Sequence, residues 1–245
     1  MANTLRLYAL KAIVTGAADG IGEAVARTFA KHGAEVLAVD SPQSRITTTF
    51  ARVRGIIPLE ADDDAEGLST MLAKSARERL EGLDILVNNF PRLADTEPGG
   101  GDPELQPWLD QVLAVTAAVL PLLRKSPAGR IINIGALRSS FPRETDAGFA
   151  AAERALARVT AEQAAEHGTS GITANYIQPG AIMTADSRAI FEADKAFRDW
   201  CIQRSAARRL GEPVDVAKVA LFLASDDSVF VSGTGIAANG GLLPD

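Results

Sequence analysis

The chain has 245 residues, of which 47% are hydrophobic and 23% charged, and its formal net charge is −6. The negative charge gives no electrostatic reason to expect binding to nucleic acid or to an anionic membrane surface. One cysteine, Cys201, excludes an intramolecular disulfide, and with two distant histidines no metal site is expected. The N-terminal residues lack the pattern of a secretion signal, and no run of about 18 apolar residues predicts a membrane span. A cytoplasmic location is therefore expected.

Short apolar runs alternate with longer amphipathic stretches along the chain. The runs are rich in Ile, Val and Leu and predict strands within 11–15, 34–40, 55–61, 83–89, 129–136 and 171–178. The amphipathic stretches predict helices over 20–32, 65–81, 105–125 and 146–167. A helix within 43–54 is only weakly indicated, because the threonines of RITTTF favour a strand. The Gly- and Pro-rich segment 96–107 predicts a loop.

This alternation predicts an α/β fold built on a doubly wound parallel sheet. Nearly continuous apolar strands are typical of a sheet that is covered by helices on both faces. No repeat, linker or low-complexity segment interrupts the pattern, so a single domain over residues 1–245 is expected. Ligands of such sheets bind at the carboxyl ends of the strands.

The glycine-rich segment TGAADGIG lies between the first predicted strand and the first predicted helix, and contains Gly16, Gly20 and Gly22. Glycines at such a turn let the backbone approach a pyrophosphate, and the helix N-terminus supplies N–H donors. Asp40 ends the next strand, 18 residues after Gly22. A carboxylate there can accept from both ribose hydroxyls of NAD and repels the 2′-phosphate of NADP, so NAD(H) is favoured over NADP(H). The alternative is an ordinary strand–helix turn that Asp40 caps.

The TGxxxGIG spacing resembles the short-chain dehydrogenase/reductase family, and the similarity extends nearly from end to end. EADDD, DILVNN, GRIINIGA, ITANYIQPGAIMT and the segment from RLGEPVDVAKVA to GIAANGG resemble further family segments in the family's order. The resemblance implies one Rossmann-type domain of three α/β/α layers, a nicotinamide cofactor and commonly a tetramer. The positions that it implies for cofactor binding are Gly16, Asp19, Gly20, Ile21, Gly22, Asp40, Asp62, Asn88, Pro179, Gly180, Ile182 and Thr184.

The family transfers a hydride at a carbon–oxygen centre with three polar side chains. A tyrosine passes the proton, a lysine lowers its pKa, and a serine hydrogen-bonds the substrate oxygen. At the matching positions stand Ala136, Phe149 and Glu153, and no YxxxK occurs elsewhere. Phe149 follows Ala136 by 13 residues, which matches the family spacing without a gap. Because such residues act as a unit, the ordinary reaction is expected to be lost.

Further positions depart from the family pattern. The asparagine of the family's fourth helix has no counterpart, and Trp108 and Thr116 are the candidates for its place. In NNFPR, Phe90 and Pro91 either narrow the nicotinamide side of the cleft or reshape the loop. The loop before Phe149 is polar. Its charged side chains either pair with one another or contact a ligand, and its serines could supply a hydroxyl in place of the family's serine. These polar residues are Arg138, Ser139, Ser140, Arg143, Glu144 and Asp146.

Glu153 reverses the charge of the family's lysine. A carboxyl in a partly buried cleft can have a raised pKa and act as an acid or a base. The alternative is a solvated helix glutamate that pairs with Arg154 or Arg158. In the segment that corresponds to the family's substrate lid, Phe197 and Trp200 either line a pocket or pack against neighbouring side chains.

Three functions are consistent with this pattern. The first is an NAD(H)-binding protein without the triad, acting as a structural or regulatory subunit that partners a catalytic dehydrogenase in a hetero-tetramer, or as a homo-tetramer. The second is an atypical oxidoreductase that acts on a small alcohol or carbonyl compound through Glu153 or loop polar groups, or that uses the cleft without hydride transfer. The third is a sensor of the NAD/NADH state.

Overall fold

A computed structural model of the chain describes residues 5–62, 65–90, 105–137 and 146–241. Seven parallel strands form one sheet in the order β3-β2-β1-β4-β5-β6-β7. The strands are β1 (Lys11–Val14), β2 (Glu35–Asp40), β3 (Ile56–Glu60), β4 (Ile85–Asn88), β5 (Arg130–Ile134), β6 (Thr173–Pro179) and β7 (Gly235–Ala238). The order reverses between β1 and β4, so the predicted doubly wound fold is confirmed.

Helices cover both faces of the sheet and divide the core into two layers. Buried side chains of α3, α4 and α5 pack on one face, and those of α1, α2 and α8 pack on the other. The helices are α1 (Gly20–Lys31), α2 (Ile46–Phe50), α3 (Ala65–Arg79), α4 (Leu105–Leu123), α5 (Asp146–His167), α6 (Ala185–Ala193), α7 (Lys195–Arg204) and α8 (Pro213–Ala224). The weakly indicated second helix is a five-residue helix whose Ile46 and Phe50 are buried. These two apolar contacts outweigh the strand preference of its threonines.

Helix α4 is the most apolar of the described helices and, by length and composition alone, could cross a membrane. In the fold it packs against α3, β4 and β5 through one buried face that includes Val112, Val115 and Val119. It starts at Leu105, so the predicted loop over 96–107 ends three residues earlier than expected, and the remainder of that loop is outside the described residues.

Candidate functional site

A cleft of about 270 Å³ opens at the carboxyl ends of the strands, where the sheet order reverses. One side is formed by the glycine-rich turn after β1 and the end of β2, and the other by the segments after β4 and β5. Of the residues predicted to bind a cofactor, those that line it are Gly16, Asp19, Gly20, Ile21, Asp40 and Thr184. The others lie away from its lining: Gly22, Asp62, Asn88, Pro179, Gly180 and Ile182.

The glycine-rich turn has the conformation that a close backbone approach requires. Gly16 and Gly20 have φ of +55° and +52°, a region that favours glycine. Gly22 lies in the first turn of α1, and a Cβ there would overlap the carbonyl group of Gly16. The turn therefore leads directly into the N-terminus of α1. Its backbone can receive a pyrophosphate, because the first N–H groups of a helix have no partner within the helix and the positive end of the helix dipole lies there.

Asn89, which sequence reasoning did not single out, holds this turn in place. Its Nδ2 donates to the carbonyl oxygens of Thr15 and Gly16, at 3.2 and 3.0 Å. Its neighbour Asn88 points the other way and is buried, where Nδ2 donates to Thr116 Oγ1 and Asn133 Oδ1. The role of Asn88 as a cofactor contact stays a prediction. The side chain that contacts the glycine-rich turn is that of Asn89.

Asp40 is bonded on both oxygens to backbone N–H groups, from Ala18 and Ser41, each at 2.8 Å. It therefore caps the turn, as the alternative interpretation held. An ionised carboxylate offers about four acceptor positions, so the same side chain can also receive ribose hydroxyls. The two interpretations of Asp40 are compatible.

The lining of the cleft is acidic. Asp19 precedes α1, and its pKa is raised by partial burial and then by the charges of Asp186 and Asp40. Asp186 was not singled out from the sequence, although it follows the predicted contact Thr184 by two residues. Thr184 itself caps α6 and accepts from the N–H of Ser187. No Lys, Arg or His within the described part of the chain lines this cleft.

Two of the three positions that the family resemblance predicts to correspond to the catalytic triad, Ala136 and Glu153, meet just beyond β5. Ala136 lines the cleft, and its N–H donates to Glu153 Oε1 at 3.2 Å. A Cβ added to Gly135 would lie 2.6 Å from the same oxygen, so the carboxyl of α5 rests directly on the backbone after β5. Phe149 packs at the edge of the same apolar cluster as Ala136. None of the three side chains carries a hydroxyl or a cation.

Glu153 is bonded within the protein and is not a solvated surface glutamate. Burial raises its pKa to about 7, against the opposing effect of hydrogen bonds from Gln178 and Ala136. Arg158 pairs instead with Glu162, at 2.9 Å, which argues against the alternative interpretation of Glu153 as a surface partner of Arg158. The pKa of Tyr176 is raised by burial and by the charge of Glu153. The polar neighbours from β6 were not foreseen from the sequence.

Aromatic side chains occupy the space beside these positions. Phe90 is buried, lines the cleft and belongs to the same apolar cluster as Trp108 and Ala136. The Nε1 of Trp108 donates to the carbonyl oxygen of Phe90 at 3.4 Å. Thr116, the other candidate for the family's asparagine, donates to the carbonyl oxygen of Val112 inside α4.

Helices α6 and α7 form a separate apolar cluster that contains Phe191, Phe197 and Cys201. Phe197 therefore packs inside this cluster and does not line the cleft at the carboxyl ends of the strands. Trp200 packs at the edge of the cluster and also lines a second cavity of about 360 Å³. The predicted loop contacts Pro91, Arg138, Ser139, Ser140, Arg143 and Glu144 lie outside the described residues, as does the side chain of Asp146.

Comparison with known proteins gives consistent matches over nearly the whole chain. A family model described as enoyl-(acyl carrier protein) reductase matches residues 16–243. The oxidoreductase UcpA of Escherichia coli K12 is 31% identical over 252 residues, which cover 96% of this chain and 95% of UcpA. The 3-oxoacyl-[acyl-carrier-protein] reductase FabG of Haemophilus influenzae is 31% identical over 241 residues, which cover 94% and 97% of the two chains. The dehydrogenase/reductase SDR family member 4 of Mus musculus is 30% identical over 245 residues, with coverages of 94% and 86%.

Solved structures match the fold closely. A candidate NAD(P)-dependent gluconate 5-dehydrogenase from Beutenbergia cavernae, with NADP bound at low occupancy, superposes with a TM-score of 0.84 at 27% identity. The match covers 97% of this chain and 98% of that one. A candidate gluconate dehydrogenase from Agrobacterium tumefaciens gives a TM-score of 0.86 at 28% identity, with 99% of both chains covered.

Proposed function

This chain belongs to the short-chain dehydrogenase/reductase family, and from that membership we propose that it is an NAD(H)-binding subunit that has lost the family's hydride transfer. One observation carries the proposal. Where the family uses a serine, a tyrosine and a lysine, the chain has Ala136, Phe149 and Glu153, and the carboxyl of Glu153 is bonded to the N–H of Ala136. Proton transfer needs a donor of matched pKa at the reacting oxygen, and phenylalanine cannot supply one.

The proposal includes NAD(H) because the backbone of the glycine-rich turn fits a pyrophosphate and Asp40 lies at the end of β2. When bound, a nicotinamide supplies a hydride donor or acceptor. The chain's own residues bind and orient it: the N-terminus of α1 receives the phosphates, and Asp40 receives the ribose. The negative charge of Asp40 opposes a 2′-phosphate, which favours NAD(H) over NADP(H).

We further propose that the subunit acts in an assembly with other copies or with a catalytic relative. One pair of exposed apolar side chains supports this. Beyond α8, the adjacent residues Val229 and Phe230 project into solvent, with Phe230 fully exposed. Exposed large apolar groups that cluster are typical of surfaces that bind protein.

Calorimetry with NAD and native mass spectrometry of the protein from its own cells test the proposal together. The expected result is NAD binding, no turnover across alcohols and ketones, and either a mixed assembly with a triad-bearing subunit or a homo-tetramer. Turnover by the purified chain would overturn the non-catalytic role, and absence of nucleotide binding would overturn the cofactor assignment.

A second candidate is an atypical enzyme in which Glu153 acts as an acid or base. The observation that favours it is the position of the Glu153 carboxyl on the N–H of Ala136, which lines the cleft, where burial raises its pKa to about 7 and so suits proton transfer at neutral pH. The distinguishing experiment compares the chain with its Glu153→Gln variant. Any turnover that this variant abolishes supports the second candidate against the first.

A further inference from the structure

The charges around the dinucleotide cleft have one sign. Three aspartates line it, Asp19, Asp40 and Asp186, and Glu153 adds a carboxyl behind Ala136. The described lining contains no cationic side chain to balance them. The phosphates and the adenosine of NAD and NADH are identical, so these carboxylates oppose the phosphates of both forms equally. What differs between the two forms is the nicotinamide ring, which carries a positive charge when oxidised and none when reduced.

Glu153 lies on the side of the cleft where that ring would be held. The cleft crosses the point where the strand order reverses, and a dinucleotide lies across such a point with one half on each side. Asp40 on β2 marks the adenosine half. The opposite half is bounded by Gly135 and Ala136 after β5, and both residues contact or closely approach Glu153 Oε1.

We propose that this cleft discriminates between the oxidised and the reduced dinucleotide, and that the carboxylate of Glu153 is the specificity-determining group that favours NAD⁺ over NADH. The inference rests on the proposed NAD(H) binding and deepens it. A subunit with this property changes its occupancy with the redox state of the nucleotide pool and needs no turnover of its own. Attraction between one carboxylate and the positively charged ring in a partly buried site gives a preference on the order of tenfold.

Among the described residues, no cationic side chain balances the charge of Glu153. From β6 it faces Tyr176 and Gln178, and the tyrosine is neutral at physiological pH because burial and the carboxylate itself raise its pKa. From α1 and α6, the aspartates Asp19 and Asp186 line the cleft. Neutralising Glu153 therefore removes the group that distinguishes the two forms of the ring.

Calorimetric titration of the intact chain with NAD⁺ and with NADH at pH 6 and pH 8 tests the inference at constant ionic strength. The expected ratio of the two dissociation constants favours NAD⁺ by about tenfold at pH 8 and falls at pH 6, where Glu153 takes up a proton. In Glu153→Gln the ratio is the same at both pH values. In the control Asp40→Asn, the affinities for NAD⁺ and for NADH change by the same factor, so the ratio of the two dissociation constants is preserved.

A second readout needs no variant. Because the positive ring favours the ionised carboxyl, binding of NAD⁺ near pH 7 lowers the pKa of Glu153 and releases a proton, whereas NADH releases none. Titration in two buffers of different ionisation enthalpy measures this release. Equal affinities for both forms, or a ratio that Glu153→Gln leaves unchanged, overturn the inference and leave the proposed function standing. Failure of both nucleotides to bind overturns the proposed function as well.

Discussion

The carboxyl of Glu153 on α5 accepts a hydrogen bond from the main-chain N–H of Ala136, 17 residues earlier and just beyond β5. This contact joins two of the three positions that the family resemblance predicts to correspond to the catalytic triad. Burial of the carboxyl against the sheet raises the pKa of Glu153, and the hydrogen bond from Ala136 opposes this effect only in part. The same group therefore affects stability as well as ligand binding.

Stability is expected to fall as pH rises because of Glu153. Folding raises its pKa from 4.5 to about 7, so between these values the folded chain keeps a proton that the unfolded chain has lost. Unfolding free energy then decreases from about pH 4.5 to 7 and levels off above, by on the order of 3 kcal/mol in total. Glu153→Gln removes this decrease in the unfolding free energy, so the variant is more stable than the wild type at pH 8 and similar to it at pH 5.

Urea unfolding of both proteins at the two pH values measures the difference. Glu192→Gln, which changes an exposed glutamate on α6, serves as the control and should follow the wild type. Parallel pH profiles for the wild type and Glu153→Gln would contradict a raised pKa at this site.

Gly22→Ala is expected to destabilise the fold by about 1–3 kcal/mol, since the new methyl group overlaps the carbonyl of Gly16. Because the glycine-rich turn must shift to relieve the overlap, NAD binding should weaken with it. Gly168→Ala is the matched control, because nothing lies within 4 Å of a Cβ there. Thermal unfolding compares the two variants, and an equal effect of both would show that the close packing of the turn is unimportant.

Asp19→Asn is expected to strengthen NAD binding by about threefold to tenfold, because it removes a negative charge beside the N-terminus of α1. Added salt should strengthen binding to the wild type more than to the variant, since it screens the repulsion. Glu23→Gln is the control, because Glu23 pairs with Arg27 outside the lining of the cleft. Weaker binding by Asp19→Asn would instead indicate that the carboxylate accepts a hydrogen bond from the ligand.

Restoring the family's three side chains tests whether the rest of the cleft still supports hydride transfer. The variant Ala136→Ser/Phe149→Tyr/Glu153→Lys should transfer hydride between NAD(H) and small alcohols or ketones, about a hundredfold above the unmodified chain. Phe149→Tyr alone should stay inactive, because the members act as a unit. The absorbance of NADH follows the reaction. A triple variant that binds NAD and remains inactive with every substrate would mean that the aromatic groups around Phe90 and Trp108 have closed the substrate space.

The sequence alone predicted the first six strands and the helices between them in chain order, together with the position of the glycine-rich turn. Both depend on local patterns: apolar runs, helical periodicity and glycines that tolerate positive φ. The family resemblance further predicts that Ala136, Phe149 and Glu153 stand at the triad positions, since the spacing from Ala136 to Phe149 follows the family without a gap.

Only the tertiary structure decided which side chains meet. Asn88 and Asn89 are adjacent in the sequence, yet the buried side chain of Asn88 donates to Asn133 on β5, whereas that of Asn89 holds the glycine-rich turn. Tyr176 and Gln178 reach Glu153 because β6 lies beside β5 in the sheet. Such contacts join residues that are far apart in the chain, so no local pattern specifies them. The physical reason is that strand pairing and burial select partners from the whole fold, whereas sequence periodicity reports only the environment of each segment.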